Sequence, residues 1–388
     1  MFLGFAGGLI LIFLTVYISD ISPSTMRGAL VSIVFLQIAG GQILYHLLNW
    51  ISSSTPHETQ IWHWLIATIL PVIHIIVIIA GWLPESPRWL YRKGYIQQAE
   101  ESLKMMLSSC EVFKEVTAMK LSLEEEVEVA EVQQENELNI LDVILEKVPA
   151  RRIIVGFGSL VAQQFVGISM IMRYSYAIFH LTTGRYNSKI VDGNVDYIIN
   201  RVFFSVIPLI TSSLVLVGTI ICTILVDRFG RRRLLLVSIS EIVSSLGLLS
   251  WLFCTGSSSV GGIVYRFPNT NLGDEDRDFW YNTDEERASC MGLLALLALA
   301  MYIVFHSLGI GTVPWIINSE IYPMKYRNVC LAVANVVYWC SKMVVQDLLF
   351  DCLGQYLSAA QMLFLLCLFS GVVGLLIYFY IPDQKVTT

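Results

Sequence analysis

Two adjacent amides, Gln163 and Gln164, lie within a long apolar stretch, and Trp315 and Trp339 lie within two others. An amide can both donate and accept hydrogen bonds, which suits the recognition of hydroxyl groups. An indole offers a flat apolar face for the C–H surface of a ring, with an N–H at its edge. The same residue types also join membrane helices or anchor them at the membrane interface, so type alone leaves both roles open.

A second pattern that can do chemistry is a charged motif that occurs twice. DISPSTMR at 20–27 and EIYPMKYR at 320–327 both read acid-Ile-x-Pro-x-x-x-Arg, 300 residues apart. Acids and bases at the ends of neighbouring helices can pair to hold a bundle closed at that end, or they can simply fix its orientation. We predict such a latch from nine residues, which are Asp20, Arg27, Glu85, Arg88, Asp227, Arg231, Arg232, Glu320 and Arg327.

The elements that position these residues are predicted to be membrane helices. Only 14% of the 388 residues are charged, against about a quarter in soluble domains, and 55% are hydrophobic. A membrane-crossing helix needs about 20 apolar residues, and in lipid a single spanning segment can pair its backbone only as a helix. We predict an all-α membrane protein with nine spans, near 1–20, 28–49, 62–83, 152–180, 202–226, 233–254, 291–317, 329–350 and 359–381.

Glycine and proline interrupt two of these spans. The span near 152–180 contains Gly167, and the span near 291–317 contains Gly309, Gly311 and Pro314. Such interruptions in corresponding spans indicate broken helices that line a binding site. We therefore expect the two glutamines and Trp315 to lie beside breaks in their helices.

Lysine and arginine are distributed unevenly between the two sides of the predicted membrane. Twelve lie near helix ends in one set of connections and six in the alternate set, which places the first set in the cytoplasm. The chain then divides into a three-helix part at 1–83, a cytoplasmic helical linker at 84–151, a six-helix bundle at 152–383 and a tail at 384–388.

The duplicated motif also predicts a missing part. DRFGRR at 227–232 has no counterpart about 300 residues earlier, and the first half has three predicted spans whereas the second half has six. We expect a twelve-helix ancestor whose first three helices are absent from this chain, arranged as parallel repeats about an axis along the membrane normal.

Three stretches carry a family resemblance. LPESPRWLYRKG at 83–94, QQFVGI at 163–168 and GTVPWIINSEIYP at 311–323 resemble motifs of the sugar porters of the major facilitator superfamily, most closely plant-type proton-coupled myo-inositol transporters. The resemblance extends over nearly the whole chain. It implies that a polyol site is lined by Gln163, Gln164, Ser169, Tyr174, Trp315 and Trp339.

The chain departs from the family pattern at positions that this resemblance places near the site. Ser169 and Lys342 stand where the pattern has asparagine, and Val215 replaces a polar residue. Arg173 and Lys342 are two cations inside predicted spans, where each costs about 2.5–3.5 kcal/mol on insertion scales. They require an anionic partner or water, and the candidate carboxylates are Glu320, Asp347 and Asp351.

The function that the resemblance implies is transport of a polyol or monosaccharide, myo-inositol-like, by alternating access and coupled to protons in the full-length form. The alternative is a relative that does not transport, which acts as a sensor, a regulatory partner or a decayed copy. The sequence contains no nucleophile–base constellation, metal-ligand spacing, phosphate loop or basic stripe. We therefore expect no enzyme activity, cofactor, metal or nucleic-acid partner, and a multi-pass location in the plasma or vacuolar membrane.

Overall fold

The computed structural model describes residues 2–22, 26–53, 85–105, 148–183, 193–258, 285–322 and 326–381, together with 112, 116–117 and 120. Within these residues every regular element is a helix. The helices, in chain order, are α1 (Phe2–Ile21), α2 (Arg27–Ser53), α3 (Pro87–Arg92), α4 (Ile96–Lys104), α5 (Ala150–Phe165), α6 (Ile168–Thr183), α7 (Gly193–Phe229), α8 (Arg231–Ser258), α9 (Glu285–Leu308), α10 (Val313–Ile321), α11 (Arg327–Ser341), a π-helical segment (Lys342–Leu349), α12 (Phe350–Tyr356) and α13 (Ala359–Tyr380).

Seven segments of the described chain are long and apolar enough to cross a membrane, namely Arg27–Trp50, Ala150–Ser175, Val206–Phe229, Arg231–Cys254, Met291–Ile321, Arg327–Gly354 and Ala359–Tyr380. They coincide with seven of the predicted spans and confirm an all-helical membrane protein. Helix α1 covers the predicted span at 1–20, whereas 62–83 lies outside the described residues. The count of nine therefore stays a prediction.

Helices α6 to α9 and α13 enclose the main apolar core. Its largest fully buried side chains include Leu235 and Ile242 of α8 and Tyr302 of α9. Large apolar side chains on the outer faces are exposed instead, for example Phe379 at 73%. Exposed apolar faces on long helices are what a lipid environment favours, because the surrounding acyl chains are as apolar as the side chains.

Small residues allow the closest helix contacts. A Cβ added at Gly218 of α7 would lie 2.4 Å from the carbonyl oxygen of Val304 in α9, and one at Gly309 would lie 2.1 Å from the Cβ of Ser238 in α8. Close backbone approach through glycine and serine is the usual source of van der Waals contact between membrane helices.

The predicted helix breaks are confirmed at two places. The chain turns between α5 and α6 at Gly167, whose φ of +77° suits glycine and where an added Cβ would lie 2.4 Å from Leu366. A turn at 309–312 separates α9 from α10, and Pro314 lies in the first turn of α10, where its missing N–H costs nothing. The π-helical segment after α11 was not predicted from the sequence.

We predict that Gly218→Ala destabilises the protein, because the added methyl group would meet the backbone of α9 and overpacking costs about 1–3 kcal/mol. The control is Gly158→Ala in α5, where nothing lies within 4 Å of the added Cβ, so higher helix propensity should leave stability equal or raised. Thermal unfolding of the purified protein followed by size-exclusion chromatography measures both. Equal melting temperatures for the two variants would contradict the close α7–α9 contact.

Candidate functional site

A buried ionic group lies where α7, α8 and α10 end or begin. The Arg231 guanidinium lies 2.9 Å from an oxygen of Asp227 and 2.8 Å from an oxygen of Glu320. Gly230, with φ of +84°, makes the turn between α7 and α8 that places Asp227 and Arg231 side by side. All three side chains are between 11% and 16% exposed, so their charges compensate one another largely out of water.

The same end of the molecule connects the N-terminal helices to the C-terminal ones. The second oxygen of Asp227 accepts a hydrogen bond of 2.8 Å from the backbone N–H of Ala29 in α2. Ser32 of α2 also donates to Thr223 of α7 at 2.8 Å. Gly28 permits this approach, since a Cβ there would lie 2.5 Å from the Asp227 carboxylate.

A second ion pair joins the two copies of the duplicated motif. Asp20 at the end of α1 lies 3.6 Å from Arg327 at the start of α11, and Arg327 is 5% exposed. The Ser86 hydroxyl, which caps α3, lies 3.4 Å from the Asp20 carboxylate. Ser19 donates to the carbonyl of Ser319 at 3.3 Å, across a separation of 300 residues. The two copies of the motif therefore lie side by side in the structure.

The nine predicted latch residues do not all meet. Five form two groups, which we call the ionic cluster: Asp227, Arg231 and Glu320 in one, Asp20 and Arg327 in the other. Arg27 donates to the carbonyl of Ser22, five residues earlier in the chain, and Arg232 donates to the carbonyl of Tyr378. Glu85 is exposed, and the prediction for the Arg88 side chain lies outside the described part of the chain.

Both predicted glutamines are buried beside the helix breaks. The Gln163 amide nitrogen donates to the carbonyl of Gly311, 3.2 Å away in the α9–α10 turn, while its amide oxygen is buried without a hydrogen-bond partner. The Gln164 amide nitrogen donates to the carbonyl of Leu160 at 3.3 Å, and its side chain lies close to that of Tyr338 in α11. An unpaired buried acceptor is a position where a hydroxyl donor would be strongly favoured.

Aromatic rings form one wall of this region. Trp315 of α10 is 7% exposed, and its ring centroid lies 4.9 Å from that of Tyr338 and 5.9 Å from that of Phe35 in α2. Trp339 lies next to Tyr338 but is 46% exposed, so the structure places the two predicted tryptophans differently. Trp315 belongs to the buried wall, and Trp339 lies at its margin.

Ser169 and Tyr174 also have different surroundings. Ser169 donates to the amide oxygen of Gln346, whose amide nitrogen lies 3.4 Å from the carbonyl of Gln164. Tyr174, which is 1% exposed, packs in the apolar core of the C-terminal helices. The structure therefore connects Ser169 to the backbone of Gln164 through Gln346.

The two cations inside spans have identified neighbours. Arg173 of α6 forms an ion pair with Asp351 of α12, so Asp351 is the partner that the sequence could not choose. Glu320 belongs to Arg231 instead, and the side chain of Asp347 lies outside the described residues. The Lys342 ammonium lies over the ring of Trp339, 5.1 Å from its centroid.

Sequence reasoning missed three polar residues on α11 and the π-helical segment, namely Asn335, Tyr338 and Gln346. Asn335 is 6% exposed, and its amide oxygen is buried without a hydrogen-bond partner. Gln346 is 1% exposed. Asn335, Tyr338, Lys342 and Gln346 follow one another at spacings of three, four and four residues. This spacing places them on one helical face and could have revealed the three polar residues. We call Gln163, Gln164, Trp315, Asn335, Tyr338 and Gln346 the polar site.

Comparisons with known proteins agree with this arrangement. A family model described as "Sugar (and other) transporter" matches residues 1–388. "Probable inositol transporter 2" of Arabidopsis thaliana is 30% identical over 99% of this chain and 72% of its own length. "Proton myo-inositol cotransporter" of Homo sapiens is 26% identical over 95% of this chain and 62% of its own length.

Solved structures show the same fold. The proton:xylose symporter XylE of the major facilitator superfamily, solved with 6-bromo-6-deoxy-D-glucose, superposes with a TM-score of 0.66 at 22% sequence identity. The match covers 96% of this chain and 67% of the symporter. With a family model that matches from end to end and an inositol-transporter relative at 30% identity, the chain belongs to the sugar transporter family, and its fold is that of a major facilitator superfamily symporter.

Proposed function

We propose that the protein transports a polyol or monosaccharide of the myo-inositol type across a membrane by alternating access, coupled to protons. The observation that carries the proposal is the amide of Gln163, which is fixed through its nitrogen while its buried oxygen has no partner. The ring of Trp315 and the buried oxygen of Asn335 add an apolar face and a second acceptor. Acceptors beside an aromatic face match the hydroxyl and C–H surfaces of a polyol ring.

The polar site lies where N-terminal and C-terminal helices meet. Phe35 of α2 contacts Trp315, and Gly8 of α1 approaches Asn335, since a Cβ there would lie 3.8 Å from the Asn335 amide nitrogen. A ligand between the two sets of helices would be contacted by both, as rocking of two bundles around a central site requires. We infer a three-helix part at 1–83, a linker at 84–151, a bundle at 152–383 and nine spans in all.

The ionic cluster supports a state closed at the predicted cytoplasmic end. Asp20–Arg327 joins α1 to α11, and Ala29–Asp227 joins α2 to α7. Both connections must break before these helices can separate at that end. Because Arg231, Asp227 and Glu320 all belong to the C-terminal helices, that group positions Asp227 for Ala29 and need not itself break.

Support for the substrate class and for proton coupling comes from the relatives. One is named an inositol transporter and another a proton myo-inositol cotransporter. The alternative of a relative that binds but does not transport is favoured by one observation, the replacement of pattern amides by Ser169 and Lys342. Against this alternative, Gln346 restores a buried amide beside Ser169.

The decisive experiment is uptake of labelled myo-inositol and glucose by proteoliposomes that contain the purified chain, with and without an inward proton gradient. We expect saturable uptake of a polyol that the gradient accelerates. Equilibrium binding is measured on the same preparation. Binding without flux would establish the sensor alternative, and the absence of both from correctly folded protein would refute the proposed function.

Within this assay we predict that Gln163→Leu weakens polyol binding by roughly 5- to 150-fold. Loss of a hydrogen bond to a buried group costs about 1–3 kcal/mol, and the variant also leaves the Gly311 carbonyl without its donor. Gln98→Leu, on the exposed face of α4, makes the same chemical change away from the site and should leave binding unchanged. An unchanged affinity for Gln163→Leu would exclude this residue from the site.

We also predict that Asp20→Asn opens the closed end more often. Cys330 is fully buried on α11 beside the ionic cluster, so its alkylation by a maleimide, measured by mass spectrometry, reports opening. Loss of a partly exposed pair costs about 1 kcal/mol, so alkylation should be roughly fivefold faster. Arg233→Gln, exposed at the same end, is the control and should have no effect. Equal rates in Asp20→Asn and in the unmodified protein would show that this pair is not a latch.

A further inference from the structure

We infer that the preferred substrate carries an anionic group, a carboxylate or a phosphate, which the ammonium group of Lys342 binds. The inference rests on the proposed function, because it concerns the same polar site. It concerns one residue, Lys342, that stands where the family pattern has an amide. A neutral polyol has no negative charge to compensate the lysine, whereas an acidic polyol has one.

The position of Lys342 follows from its neighbours along the helix. The ring of Tyr338 packs against that of Trp315, with centroids 4.9 Å apart, and Gln346 donates to the backbone carbonyl of Gln164. Lys342 lies four residues from Tyr338 and from Gln346, and residues four apart share a face of a helix. Lys342 therefore lies between Tyr338 and Gln346 along the face of α11 and the π-helical segment that contacts the polar site, and its ammonium lies over Trp339 at the margin of that site.

The position of Lys342 deep in the membrane raises the free-energy cost of its charge. It lies near the middle of the span Arg327–Gly354, as Gln163 and Gln164 do in the span Ala150–Ser175. An ammonium at this depth requires a partner, and ionisable residues there are functional candidates by default. Trp339 supplies a cation–π contact at 5.1 Å, which offsets only part of the cost of removing the ammonium from bulk water.

Charge balance around the site distinguishes the two cations. Arg173 has Asp351, so that pair is neutral. The polar site itself consists of amides and aromatic rings, and no carboxylate among the described side chains forms an ion pair with Lys342. The π-helical backbone begins at Lys342, and π-helical turns often occur at functional sites. A substrate anion would supply for Lys342 the negative charge that Asp351 supplies for Arg173.

The test measures dissociation constants for matched ligand pairs by tryptophan fluorescence of the full chain in lipid nanodiscs. Glucose and glucuronate differ by one carboxylate, and myo-inositol and myo-inositol 1-phosphate differ by one phosphate. A charge-assisted hydrogen bond predicts that at least one acidic ligand binds about tenfold or more tighter than its neutral partner. The two pairs identify which anion is preferred.

The variants assign the preference to the lysine. Lys342→Gln should abolish the acidic preference, since a neutral amide keeps hydrogen bonding but loses the charge. Lys342→Arg should keep the preference, and Arg233→Gln, which removes the same charge from an exposed site, should not affect it.

Three results would overturn the inference. If neutral polyols bind as tightly as acidic ones to the unmodified protein, the site is not selective for anions, although the proposed function stands. If Lys342→Gln folds and retains the acidic preference, another group binds the anion. If neither kind of polyol binds, the proposed function fails and the inference fails with it.

Discussion

The structure depends on one constraint, which is that backbone polar groups inside a membrane must be paired within the protein. A continuous helix satisfies this requirement alone, but a broken one leaves carbonyl groups without helical partners. Side chains from other helices bind these carbonyls. Tyr302 of α9 donates to the carbonyl of Val166 at 3.0 Å in the α5–α6 break, and Gln163 of α5 donates to that of Gly311 in the α9–α10 break. Each break is therefore stabilised by a residue of the other broken pair.

This reciprocal pairing also explains why the polar site lies where it does. Gln163 is held by a carbonyl that exists as an open acceptor only because α9 and α10 are separate helices. Asn318 of α10 completes the contact with α5, donating to the carbonyl of Gly156 at 2.9 Å. An added Cβ at Gly156 would lie 2.0 Å from the hydroxyl of Tyr322, so glycine is required for this approach. Glycine therefore permits close packing of helices, as at Gly156, as well as helix breaks, as at Gly167.

Charge is arranged by depth. At the predicted cytoplasmic end, Arg231 has two carboxylates and Arg327 has one, so the protein compensates these two charges. Arg173 is compensated by Asp351 near the opposite end of its span. At the centre the site is built from neutral amides and aromatic rings, with Lys342 as the exception. Among the described side chains, compensated charge at the ends and neutral polar groups in the site support the transport mechanism proposed above.

The sequence by itself determined the class of structure, because composition, the length of apolar stretches and glycine or proline interruptions are local properties. It predicted Gln163, Gln164 and Trp315 as site residues, and the 300-residue repeat anticipated that Asp20 and Arg327 belong to equivalent ends. Only the tertiary structure decided which acids and bases pair. Arg231 pairs with Asp227, four positions away in the sequence, and with Glu320, 89 positions away. The tertiary structure also showed that Gln346 supplies an amide beside Ser169, while Tyr174 belongs to the core. Pairing and burial depend on which helix faces meet, and no periodicity within one segment contains that information.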